Sequence, residues 1–214
     1  MENLELVMQE FEKDTLNPEL IVDNKLHFIH DNVTYRVRMP NQQELAQASR
    51  VRNRTFYTLL REKDENGNPI YLVSSKLKEL LKEAQGIDIE AMEKELDVLK
   101  DKYIKTSLEL SKCRDDDTRI DSIKDKIQKI KTERQKLIFL MSDHLALSID
   151  VQARDAYYRY LVSICTERYF EEIKDEITVG NYCRVWPSII DYEKDDTVLP
   201  GLAMMRFTEL YMNV

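Results

Sequence analysis

The chain has 214 residues, 34% of them charged, with four glycines, one tryptophan and a formal net charge of −8. That length supports one domain with an appended element or two small domains, and the low glycine content with high charge favours helices over a sandwich or barrel. No apolar run approaches the ~18–20 residues that span a bilayer.

The acidic start MENLELVMQEFEKD lacks the basic and apolar regions of a secretory signal, so a cytosolic protein is expected. Residues 2–13 predict a short amphipathic helix with Leu4, Val7, Met8 and Phe11 on one face, broken at Pro18. Residues 1–32 hold eight acids and two bases, whereas residues 33–63 hold seven bases and two acids. Basic and acidic segments are therefore expected to complement each other, within the fold or between subunits. A whole-chain acidic balance without interleaved stacking aromatics disfavours nucleic acid as the partner.

Residues 21–38 read as the one strand region, a small hairpin in which LHFIH and VTYRVR flank the turn cluster His30-Asp31-Asn32. Val33, Tyr35 and Val37 alternate with Thr34, Arg36 and Arg38, giving an apolar and a cationic face. Asn41 with Glu44 has capping-box spacing and opens a helix over 42–63. Arg50 and Arg54 lie one turn apart on it and Arg61 two turns further, a basic stripe that is either solvated or a docking face for an acidic partner. After the loop DENGNP, Asn68 and Pro69 are expected to start a helix that runs to Gln85 and ends at Gly86; Asn66-Gly67 as a hairpin turn is the alternative.

The dominant pattern follows. Ile89, Met92, Leu96, Leu99, Tyr103, Thr106, Leu110 and Cys113 step by three and four, as do Ile120, Ile123, Ile127, Ile130, Arg134, Leu137 and Met141. Such steps mark coiled-coil seams, and a short link around the tip Asp115-Asp116-Asp117 predicts an antiparallel pair. Met92, Leu96, Leu99, Tyr103, Ile123, Ile127, Ile130 and Leu137 are the core of the expected seam. A helix over 148–172, a break at Gly180, a short helix opened by Ser188 and a last helix over 202–212 complete the reading. The expected fold is mainly α: residues 1–87 with a β-hairpin and helices, 88–144 a projecting antiparallel coiled-coil hairpin, and 145–214 a helical part packing with the first.

Catalytic signatures do not emerge. Cys113, Cys165 and Cys183 form no CxxC pair and read as reduced thiols. His27 and His30, three apart in a strand, point to opposite faces and do not share a metal. The run Asp64-x-Asn66-x-Asn68 imitates a calcium loop, but Pro69 stands where the glycine belongs and Ser75 where the bidentate Glu belongs. With no phosphate-cradling loop, nucleophile elbow or HExxH motif, no enzyme, cofactor or metal site is expected.

VTYRVRMPNQQELAQASRVRNRTFYTLLRE, the charged helical pair, and ARDAYYRYLVSICT followed by VWPSIIDYEKDDTVLPGLA together resemble tailed-bacteriophage tail-module proteins, in particular tail assembly chaperones. The resemblance covers residues 33–212 and implies no catalytic residues. It implies a helical protein that shields the tape-measure or other tail proteins in the host cytoplasm. A homo-oligomer is a further expectation, and the lack of a long apolar run argues against a membrane partner. A virion adaptor of neck, tail or baseplate is the alternative, and a nucleic-acid-associated factor using the arginine stripe is the third reading.

Overall fold

The computed structural model describes residues 21–113, 117–174 and 177–212. The expected helix over 2–13 and the tip residues Asp115 and Asp116 lie outside them. In chain order the elements are β1 (Ile21–Val22), β2 (Lys25–His30), β3 (Val33–Arg38), α1 (Gln42–Arg61), α2 (Ser74–Gln85), α3 (Ile89–Lys112), α4 (Asp117–Leu145), α5 (Ile149–Cys165), β4 (Thr166–Lys174), β5 (Ile177–Arg184), α6 (Ile189–Lys194) and α7 (Leu199–Met212). The fold is mainly α-helical. It divides into two compact units, residues 1–55 with 153–214, and residues 56–152. The divisions fall inside α1 and α5.

The first unit is built on an antiparallel sheet of order β1-β2-β3-β4-β5. β2 and β3 pair from Lys25 opposite Arg38 to His30 opposite Val33. The turns at Asp23-Asn24 and Asp31-Asn32 all take positive φ (51°, 57°, 49° and 59°). Asx residues tolerate this left-handed conformation, and two successive such residues match the twist of a tight hairpin. Alternation then puts Leu26, Phe28, Tyr35 and Val37 on one face, where they join Ala48 of α1, Leu161 and Val162 of α5, and Ala203, Phe207 and Leu210 of α7 in one core.

The expected helix over 148–172 is corrected here. α5 stops at Cys165 and the chain turns into β4, whose Thr166, Glu167 and Arg168 pair with Val37, Arg36 and Tyr35. Residues TERYFEEIK carry β-branched and aromatic side chains that suit a pleated surface, while their Glu, Arg and Lys also suit a helix. Pairing with a strand about 130 positions earlier decides the outcome, and no local pattern reports it. Gly180 likewise does not break the chain. It lies in β5 beneath Tyr169, where an added Cβ would come within 2.6 Å of the ring.

In the second unit α2 begins at Ser74, with Asn68 and Pro69 in the preceding turn. Asp64 holds that turn: its carboxylate accepts from the Asn66 N–H at 2.9 Å and the Asn68 N–H at 2.8 Å. The start of α2 has no local side-chain cap. Instead the Asp150 carboxylate accepts from the Ser74 N–H at 2.6 Å, and the Ser74 and Ser148 hydroxyls meet at 3.0 Å. A cap supplied 76 positions away is invisible to a local reading.

Local signals hold elsewhere. Gly86 closes α2 at φ 69°, and Asp88 caps α3 by accepting from the Ala91 N–H at 3.0 Å. Asn41 and Glu44 exchange two bonds of 2.9 Å at the start of α1, and Ser188 with Asp191 forms a second capping box at α6. α7 starts at Leu199 rather than 202, with Pro200 in its first turn, where its missing N–H costs no intrahelical bond. α3 and α4 pack against each other.

Candidate functional site

The basic segment separates into two groups. Arg36 and Arg38 are consumed inside the first unit. Arg38 donates through both Nη atoms to the Glu44 carboxylate at 2.8 and 2.7 Å, and through Nη2 to the Ile164 carbonyl at 3.2 Å. Its Nε donates to Glu167 at 3.2 Å, and the Arg36 Nε donates to the same carboxylate at 2.6 Å. This forked geometry ties β3 to α1 and β4. The bonds from Arg38 hold the Glu44 carboxyl below the usual carboxylate range and raise Arg38 itself.

The Arg36 guanidinium lies 3.6 Å from the Tyr182 ring centroid. Burial, then the charges of Arg36 and Lys25, push His27 below the ordinary histidine value. Burial raises the Cys165 thiol to about 12, so it remains protonated and unreactive near neutral pH. The cluster is a clasp within the fold.

Arg50, Arg54 and Arg61 are different. All three are exposed on α1, and among the described residues no carboxylate stands within ion-pair distance of them. Tyr57 shares their helical face and is 58% exposed, a neighbour that the sequence reading did not single out. An exposed row of guanidinium groups around an aromatic ring suits recognition of carboxylates on an apolar support.

The positions of the expected seam are less exposed than their flanks. Leu99 and Ile123 are buried, while Met92, Leu96, Tyr103, Ile127, Ile130 and Leu137 are half-buried. Arg134 stands among them with its guanidinium 5.7 Å from the Tyr103 ring centroid, and the Lys131 ammonium is 6.0 Å from the same ring. Away from these positions Val98, Ile104, Leu108, Ile138 and Phe139 stay exposed. Ile104 and Leu108 are one turn apart and form a local apolar patch on α3.

A groove of about 760 Å³ lies in the first unit between α5 and α7. Its floor is Tyr158, Met204 and Tyr211, Tyr192 of α6 and Pro200 close it, and Arg154 and Arg159 stand at its rim. Gly201, Met204, Thr208 and Tyr211 form a strip of α7 beside its core residues Leu202, Ala203, Phe207 and Leu210, and Met204 also packs against that core. The sequence signal for this second strip was present at helical spacing, but the core strip beside it hid it.

The decoys find ordinary roles. His27 packs edge-on against Tyr182, whereas His30 sits 3.4 Å from Asp31. Asp191 caps α6, and Asp195 accepts from the Trp186 indole N–H at 2.7 Å. Among the described residues no group of three metal-ligating side chains converges, and no helix is long and apolar enough to cross a membrane. No family model, curated protein or solved structure matches the chain.

Proposed function

We propose that the protein is a non-enzymatic assembly chaperone or scaffold of a tailed bacteriophage, which binds the tape-measure or another tail protein in the host cytoplasm. In this reading α3 and α4 form an antiparallel coiled coil closed by Leu99 and Ile123, and its outer surface receives the partner. The observation that carries the reading is the set of large apolar side chains left open on charged helices, with Val98, Ile104, Leu108 and Phe139 at 52, 47, 53 and 67% exposure. Such patches on soluble helices are contact sites for other amphipathic helices. The Arg50, Arg54 and Arg61 row supplies a second contact, for carboxylates on the partner. The resemblance of residues 33–212 to tail-module proteins supplies the phage context.

The test is affinity capture of the tagged chain from infected producer cells, followed by mass spectrometry, beside mass spectrometry of purified particles. Enrichment of the tape-measure protein with absence from particles is the expected result. Replacing Ile104 and Leu108 by Glu is expected to lower that recovery about tenfold with unchanged circular dichroism, since two apolar contacts are worth a few kcal/mol at most. Capture without any tail protein contradicts the reading, and a fixed copy number in particles replaces it with a virion adaptor.

A further inference from the structure

β5 is the last strand of the sheet, and among the described residues only β4 pairs with it. β3 reaches only Thr166, Glu167 and Arg168 of β4. β4 and β5 nevertheless stay paired from Glu167 opposite Arg184 to Lys174 opposite Ile177. Beyond Arg168 they run as a two-stranded ribbon, with Phe170 and Val179 on one face, each 38% exposed. Two strands alone are marginal in water, and further strands are what stabilise such a ribbon.

The register fixes what the outer edge offers. The Val185 N–H donates to the Thr166 carbonyl at 3.1 Å, so by alternation Cys183, Asn181 and Val179 also turn their backbone groups towards β4. Thr178, Gly180, Tyr182 and Arg184 then turn theirs outward. Edges that resist pairing carry lysine, proline or a bulge. β5 has no proline, lysine or bulge, and its one charge is Arg184 at its end, 4.0 Å from Glu44.

This strand is complementary to itself. An antiparallel copy centred on Asn181 sets Thr178 against Arg184, and Gly180 against Tyr182, as hydrogen-bonded pairs. It sets Val179 against Cys183 as a close, non-hydrogen-bonded pair of small apolar side chains. Like charges do not meet, because the two Arg184 residues stand ~20 Å apart along the strands. Gly180 lies beneath the Tyr169 ring, which meets Tyr182 edge-on with centroids 5.3 Å apart. A second Tyr182 placed opposite Gly180 repeats that aromatic contact from the other side.

We propose that β5 pairs with β5 of a second copy, antiparallel and centred on Asn181, joining two sheets into one. Main-chain hydrogen bonds supply the affinity and the side-chain pairs supply the register. The two-fold pairing consumes both open edges and closes at the dimer.

The test is disulfide trapping of the full chain under mild oxidation. Val179→Cys places a thiol beside Cys183 of the second copy, within the Cα separation that a disulfide spans. Within one chain the same two positions lie ~13 Å apart on one strand, so the bond forms only between chains. A covalent dimer mapped to positions 179 and 183 is expected. Thr178→Cys points to the other face of the sheet and is expected to give none, as is the wild type, whose two Cys183 thiols are four positions out of register. Adding Thr178→Pro to Val179→Cys removes an outward N–H but no bond to β4, and is expected to slow trapping about tenfold, because the loss occurs twice by symmetry. Adding Asn181→Lys sets two ammonium groups against each other at the axis and is expected to slow it similarly. Circular dichroism and Trp186 fluorescence check the fold of each variant. Absence of the 179–183 dimer, equal trapping through Thr178→Cys, or trapping indifferent to both added substitutions would each overturn the proposal. None of these outcomes depends on capture of a tail protein.

Discussion

The two units hold themselves together differently. In the first, a sheet joins residues 25–38 to 166–184, and one continuous core includes Phe28, Val37, Leu161, Trp186 and Phe207. In the second, burial among the described residues is thinner: Ile89 and Ile149 are fully covered and Leu81, Leu99 and Ile123 nearly so, with charged flanks around the helices. The first unit is specified by contacts far apart in sequence, the second largely by helical periodicity and caps. Cooperative stability is therefore expected to concentrate in the first unit, with the helices of the second opening more readily.

The largest way to break that contrast is in the first core. Phe207→Ala is expected to cost ~3–5 kcal/mol through lost burial and a cavity. The loss is readable in the fluorescence of Trp186, which is buried in the same core with its indole N–H bonded to Asp195. Leu99→Asp places an uncompensated charge between α3 and α4, and a loss of about 3 kcal/mol is expected. The Trp186 signal should survive that change while helical circular dichroism falls. Loss of both signals together would show that the units do not differ in this way.

A smaller effect sharpens the contrast through pH. Glu44 is stabilised as a carboxylate by Arg38 and is lowered in the folded state. Its contribution is complete above the ordinary carboxylate pKa and disappears as pH falls through the lowered value, below about pH 4. Acid titration should therefore perturb the Trp186 signal. Arg38→Ala should flatten that dependence and cost about 3 kcal/mol, because it removes the two-pronged guanidinium partner of the buried Glu44, while Glu167 keeps Arg36. The smallest effect is Gly86→Ala, ~1 kcal/mol from a left-handed cap, confined to melting of α2 and α3.

These differences also explain what was legible in advance. The helices α1, α3 and α4, the caps at Asn41, Asp88 and Ser188 and the glycine at position 86 are local facts, and the spacing of the sequence contains them. β4 and β5 were not legible because β4 pairs with the distant β3 and β5 in turn with β4, while residues 166–172 also satisfy a helical pattern locally. The start of α2 was misplaced because Asp150 rather than Asn68 serves its first turn. At the candidate docking surfaces, charge pattern pointed to Arg50, Arg54 and Arg61, but only the sheet distinguishes them from Arg36 and Arg38. The groove was illegible for a different reason: it needs α5, α6 and α7 to converge.

The most direct measurement is residue-resolved amide hydrogen exchange on the full chain. Amides of β2, β3, the first part of β4 and the core side of α7 are expected to exchange last, and those of α3 and α4 earlier and together, as one opening unit. Exchange of α3 and α4 at separate rates, or protection there exceeding that of the sheet, would contradict the account.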